Sequence, residues 1–125
     1  MRDLVELLGI YDADGGLAGE VRYVVGHLLG FAECALCDIT HSPVRRKRAW
    51  DQLVADLPVE VRVVHRNEVP DWAVEAARTA LPVILGRWDD GSVDVLLAPS
   101  DLQACAGSVE AFQARLERAL ADQGC

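Results

Sequence analysis

The chain has 125 residues, 12 of them basic and 20 acidic, for a formal charge of −8, and 51% of the residues are hydrophobic. That length fits one domain spanning residues 1–125, able to bury about two-thirds of its unfolded surface without disulfide or metal staples. The acidic balance excludes a general nucleic-acid binder, the hydrophobic content excludes a disordered chain, and no apolar run approaches the roughly 20 residues that span a bilayer.

Residues 3–11 read as a first strand, closed by the turn Asp12-Ala13-Asp14-Gly15-Gly16. Asp3 and Glu6 would interrupt an apolar signal core here, so a cytoplasmic location is expected. Leu17, Val21, Val24, Val25, Leu28 and Leu29 recur at helical spacing, which predicts an amphipathic helix over 17–29 ended by Gly30. The stretch 31–41 reads as short and irregular. Ser42-Pro43 is a helix start, a cap followed by proline in the first turn, and that helix runs to about Leu57 with Trp50, Leu53, Val54 and Leu57 on one face. Val59, Val61, Val63 and His65 alternate with other residues as a strand. Pro70-Asp71 opens a helix over 71–80, and Leu81-Pro82 leads into a strand, Val83–Trp88. Asp90-Gly91 signals a hairpin back through 92–97. Ser108 caps a last helix over 109–121, with Val109, Phe112, Leu116 and Leu120 on one face. The resulting order, β-α-α-β-α-β-β-α, predicts an α/β domain with a mixed sheet and helices on both faces.

The strongest chemical signal is Cys34-Ala35-Leu36-Cys37. Two thiols at this spacing can close a disulfide or chelate one soft metal, and cysteines in a cytosolic chain more often serve metal or redox chemistry than a structural framework. The plain alternative is a pair of buried small hydrophobes. A tetrahedral zinc site needs two further ligands. His27, His41 and His65 are the candidates, with Asp38, Cys105 and Cys125 behind them. His27 lies beside Val24 and Leu28 near a helix end, and His65 ends the strand face shared with Val59, Val61 and Val63. The set His27, Cys34, Cys37 and His65 would hold zinc, or copper(I), which suits the same soft ligands. The alternative is a thiol–disulfide oxidoreductase with Cys34 as nucleophile and Cys37 as resolving thiol.

Arg45-Arg46-Lys47-Arg48 holds a third of the basic residues; outside it, eight basic residues face 20 acidic ones. In the first turns of a helix such cations oppose the macrodipole. The run therefore reads either as a solvated face or as a docking surface for an acidic protein, an anion, or an acidic subunit in a homo-oligomer. Asp12 and Asp14 fit turn chemistry better than a calcium loop, whose sixth and twelfth positions fall on Leu17 and Tyr23.

The element order resembles the thioredoxin superfamily, and Leu81-Pro82-Val83 stands where that family places a cis-proline before its third strand. The resemblance implies that Pro82 shapes a substrate groove. The family carries its cysteine pair directly after the first strand, where this chain has Asp12-Ala13-Asp14-Gly15. The runs Tyr11-Asp12-Ala13-Asp14-Gly15, Cys34-Ala35-Leu36-Cys37-Asp38-Ile39-Thr40 and Val64-His65-Arg66-Asn67-Glu68 resemble a family of small, uncharacterised bacterial proteins often labelled "GTPase". That family's pattern has a histidine before the cysteine pair and another in the later strand, positions held here by His27 and His65. Nucleotide binding has no basis in the residues. There is no G-x-x-x-x-G-K-[ST] loop, and the sole lysine, Lys47, follows no glycine loop.

Overall fold

In a computed structural model of the chain, the described residues are 3–12, 35–40, 47–78 and 80–123. Four strands form one mixed sheet. The central strand β1 (Leu4–Tyr11) pairs parallel with β2 (Glu60–His65) and antiparallel with β3 (Val83–Trp88). β3 in turn pairs antiparallel with β4 (Val93–Leu97), so the spatial order is β2-β1-β3-β4. The helical elements are α1 (Ala35–Thr40), α2 (Arg48–Asp56), α3 (Val74–Ala77) entered through a 3-10 turn at Asp71–Ala73, α4 (Pro99–Ala104) and α5 (Val109–Asp122). Among the described residues no helix is long and apolar enough to cross a membrane.

β1 is buried without a break from Glu6 to Tyr11, as expected of a central strand covered on both faces. Alternation sends its residues into two separate cores. Leu7 and Tyr11 join Leu36 and Ile39 of α1, Trp50 and Leu53 of α2, Leu102 of α4, and Phe112 and Leu116 of α5. Leu8 and Ile10 join Val83 and Leu85 of β3 and Ala73, with Trp72, Ala76 and Ala77 packed against them. Each large apolar side chain so buried contributes about 1.5–3 kcal/mol. In the first core, Trp50 and Phe112 meet edge to face with ring centroids 5.2 Å apart.

Gly9 sets how closely α1 can approach the sheet. A Cβ at this position would lie 3.2 Å from Leu36 Cδ2 and 3.1 Å from Ile84 Cδ1, tighter than ordinary contact. Its missing side chain lets α1 settle directly over β1.

The second core is flanked by a charged pair. Glu6 is only 6% exposed and accepts a 2.7 Å bond from Arg87 Nε across the β1–β3 ladder. The Arg87 guanidinium lies 5.3 Å over the Trp72 ring, a cation–π contact that holds it in place.

The structure corrects four element boundaries. The stretch read as irregular, 31–41, contains α1 at Ala35–Thr40. Six residues of α1 are described. The helix forms because Leu36 and Ile39, one turn apart, are both fully buried. The helix expected from Ser42-Pro43 begins at Arg48, because Lys47 is extended, with φ −70° and ψ 138°; residues 41–46 lie outside the described set. The helix expected over 71–80 is one 3-10 turn and four α residues, ending at Ala77 in time for the chain to enter β3. α4 was not expected from hydrophobic periodicity. Its sequence signal is Pro99 at the first helical position with Asp101 behind it, whose carboxylate accepts the Ala98 N–H at 2.9 Å. The helix predicted over 17–29 lies outside the described residues. The hairpin turns at Asp90-Gly91, where Gly91 adopts φ +87°.

Candidate functional site

The parallel register sets Tyr11 of β1 beside His65 of β2, the last residue of each strand. Their rings are 5.1 Å apart between centroids, tilted by 55°. Tyr11 shares the first core with Val61 and Val63, and its hydroxyl is 2.8 Å from Thr40 Oγ1, a buried hydrogen bond that ties the end of β1 to α1. Thr40 also donates to the carbonyl oxygen of Cys37, one turn earlier, at 3.4 Å. Cys37 itself is 7% exposed, packed among the first-core residues. A continuous set of contacts thus runs from the Cys37 turn of α1 through Thr40 and Tyr11 to His65.

The imidazole of His65 is also held by Glu68. Glu68 Oε1 is 2.7 Å from His65 Nδ1 and also accepts the His65 backbone N–H at 3.0 Å. The Glu68 N–H donates back to the His65 carbonyl at 2.9 Å, closing the turn. The carboxyl of Glu68 is held below the usual carboxylate range, first by the His65 backbone N–H and then by its ring. About a quarter of the His65 side chain is exposed, 26%. The sequence reading named His65 but not Glu68, Tyr11 or Thr40 as site residues. The available signal was a histidine at a strand end with a glutamate three residues on, a spacing that a tight turn brings together.

Of the four residues assigned to a metal, Cys37 and His65 are described, while His27 and Cys34 lie outside the described residues. So do His41 and Cys125 and the side chain of Asp38. Among the described residues, no group of three or more histidine, cysteine, aspartate or glutamate side chains could hold a metal ion. Cys105 is buried on the α4–α5 connection. Its Sγ bonds the Asp101 carbonyl at 3.3 Å, and burial pushes its thiol above the ordinary range, opposed by the smaller effect of Arg115. It is a packed thiol, remote in sequence from the Cys37 turn.

Pro82 is buried, and the Leu81–Pro82 peptide bond that precedes β3 is cis. Within the basic run, Arg45 and Arg46 lie outside the described residues. Lys47 is half-buried. Its backbone N–H donates to Thr40 O at 2.7 Å, and its ammonium bonds the Gly107 carbonyl in the α4–α5 turn. The expectation that all four cations crowd the first turns of a helix is corrected here, because Lys47 precedes α2 and Arg48 is its first residue. Asp12, exposed, pairs with Arg66 at 3.3 Å, and Asp14 lies outside the described residues. No protein-family model, curated protein or solved structure matches the chain.

Proposed function

We propose that the chain is a small metal-binding protein in which Cys34 and Cys37, with His27 and His65, hold one Zn(II) or Cu(I). The observation that carries this reading is the pairing of His65 with Glu68 on the sheet end to which Tyr11 and Thr40 tie the Cys37 turn. A ligating histidine almost always has its other ring nitrogen held by a carboxylate, a carbonyl or water, and Nδ1 of His65 is so held. The donor set fits the metal: thiolates supply charge and softness, imidazoles complete a tetrahedron. With four protein ligands the site is closed and serves structure or storage; with three it keeps a position for transfer or catalysis.

The architecture enters this proposal as thioredoxin-like, with helices on both faces. The sheet order β2-β1-β3-β4, the two cores on opposite sides of β1 and the cis Leu81–Pro82 bond ahead of β3 support that reading. The same observations favour a second function, a thiol–disulfide oxidoreductase. Cys34 thiolate would attack a substrate disulfide and Cys37 would resolve the mixed disulfide, leaving the substrate as a dithiol and the protein oxidised. Pro82 would line the groove for the substrate. In either case Arg45, Arg46, Lys47 and Arg48 are the docking cations for an acidic partner or anion, Lys47 also bonding the Gly107 carbonyl.

Elemental analysis of protein purified without an affinity tag, with a thiol count before and after chelation, tests the choice. The metal reading expects about one metal per chain and two thiols that become reactive only after chelation. Metal-free protein whose two thiols oxidise and reduce reversibly overturns it in favour of the oxidoreductase.

A further inference from the structure

We propose that Glu68 is a positioning residue that fixes the tautomer of His65, with the proton on Nδ1 and the lone pair of Nε2 presented as the coordinating atom. The ligand step rests on the metal reading above; the tautomer does not. A neutral imidazole has one donor nitrogen and one acceptor, and its partners decide which is which. Nδ1 lies 2.7 Å from Glu68 Oε1, and a carboxylate only accepts, so Nδ1 must carry the proton. Nε2 makes no hydrogen bond to any described residue. Two further contacts hold the ring. The same carboxylate oxygen accepts the His65 backbone N–H at 3.0 Å, so the acceptor is anchored to the backbone whose ring it orients. The Tyr11 ring packs against the imidazole with centroids 5.1 Å apart, and Tyr11 is itself pinned by its 2.8 Å bond to Thr40. The turn therefore delivers an oriented Nε2 rather than a free side chain that must be ordered at the moment of binding.

The direct test is nitrogen-detected NMR of the metal-free, reduced protein at a pH where the ring is neutral, for wild type, Glu68→Gln and Glu68→Ala. Glutamine keeps a carbonyl acceptor in the same place, so wild type and Glu68→Gln are both expected to show the Nδ1–H form. Glu68→Ala is expected to lose that preference. A wild-type ring protonated on Nε2, or a tautomer unchanged by Glu68→Ala, overturns the proposal. Zn(II) titration of the same three proteins then separates the two ideas. A weakening of about 10–100-fold in Glu68→Ala, with Glu68→Gln close to wild type, is the effect expected of an outer-shell carboxylate. Zn(II) that binds equally to all three also overturns the positioning role. A wild-type protein with the Nδ1–H tautomer that binds no Zn(II) leaves Glu68 positioning the ring and sinks the metal reading instead. Because Glu68→Ala also removes the backbone bond of the turn, thermal unfolding is recorded in parallel. A stability loss with an unmoved tautomer is the signature of loop closure only, and it too contradicts the proposal.

Discussion

Among the described residues, two carboxylates sit 2.7 Å from a basic nitrogen, Glu6 on Arg87 and Glu68 on His65, and the two pairs do different work. The Glu6 side chain is 8% exposed, while that of Arg87, under its contact with Trp72, is 37% exposed, so the carboxylate is out of water and the guanidinium reaches it. The Glu68 side chain is 50% exposed and that of His65 26%. Water screens the second pair and leaves little stabilisation in it, about 0–1 kcal/mol. What the second pair has instead is a ring nitrogen, Nε2, with no hydrogen bond to a described residue. Separation alone does not distinguish a structural ion pair from a positioning one. Burial decides what the pair does for stability, and the atoms left over decide what it can do chemically.

The largest expected effect is at the buried pair. Arg87→Met leaves a buried carboxylate without its Arg87 partner and should cost about 1–3 kcal/mol in urea unfolding, the cost of a lost partner for a buried acceptor. Adding Glu6→Leu should recover most of the loss, since exchanging both charges for apolar groups is often near neutral. A double variant as unstable as Arg87→Met alone would show that the pair's geometry, not its charge, supports the second core. Tyr11→Phe comes next. It leaves the buried Thr40 hydroxyl without its Tyr11 bond and should cost about 1 kcal/mol by the same measurement. No loss would mean that the end of β1 and α1 are joined by packing alone. Glu68→Ala is the smallest, below about 1 kcal/mol, and its contribution should shrink further in 1 M salt as screening lengths fall to about 3 Å. Its pH dependence has a definite sign. The folded Glu68 has a depressed pKa, so its stabilisation is present above the usual carboxylate range and is lost as pH falls through its lowered folded value. The gap between wild type and Glu68→Gln should close on acidification. A gap that widens would contradict the assignment of the charged carboxylate to this turn.

The same contrast explains what could be read from the residues. The alternation of Val59, Val61, Val63 and His65 gives a strand whose valines face one core, and the structure has that strand at Glu60–His65. The Asp90-Gly91 hairpin and the Ser108 cap, whose Oγ accepts the Ala111 N–H at 3.1 Å, are local chemistry and readable as such. α1 was not readable from local signals; Gly9 and the core pocket for Leu36 and Ile39 seat it on the sheet. The bond of the Lys47 ammonium was hidden for a related reason, since its acceptor is a carbonyl 60 residues away at Gly107. His65 was legible as a candidate by residue type. Its partner Glu68 was not singled out, although a glutamate three residues past a strand-end histidine was there to be read. The Glu6–Arg87 pair was hidden, 81 residues apart in sequence and adjacent across the β1–β3 ladder.

The central claim is that a strand-end imidazole and the cysteine pair share one metal. Calorimetric titration of Zn(II) into tag-free, reduced protein, for wild type beside His65→Ala, tests it most directly. The account predicts about one Zn(II) per chain for wild type and a loss of more than about 100-fold in affinity for His65→Ala, beyond what removal of an outer-shell group causes. Equal affinity in the two proteins, or no binding by wild type, would contradict it.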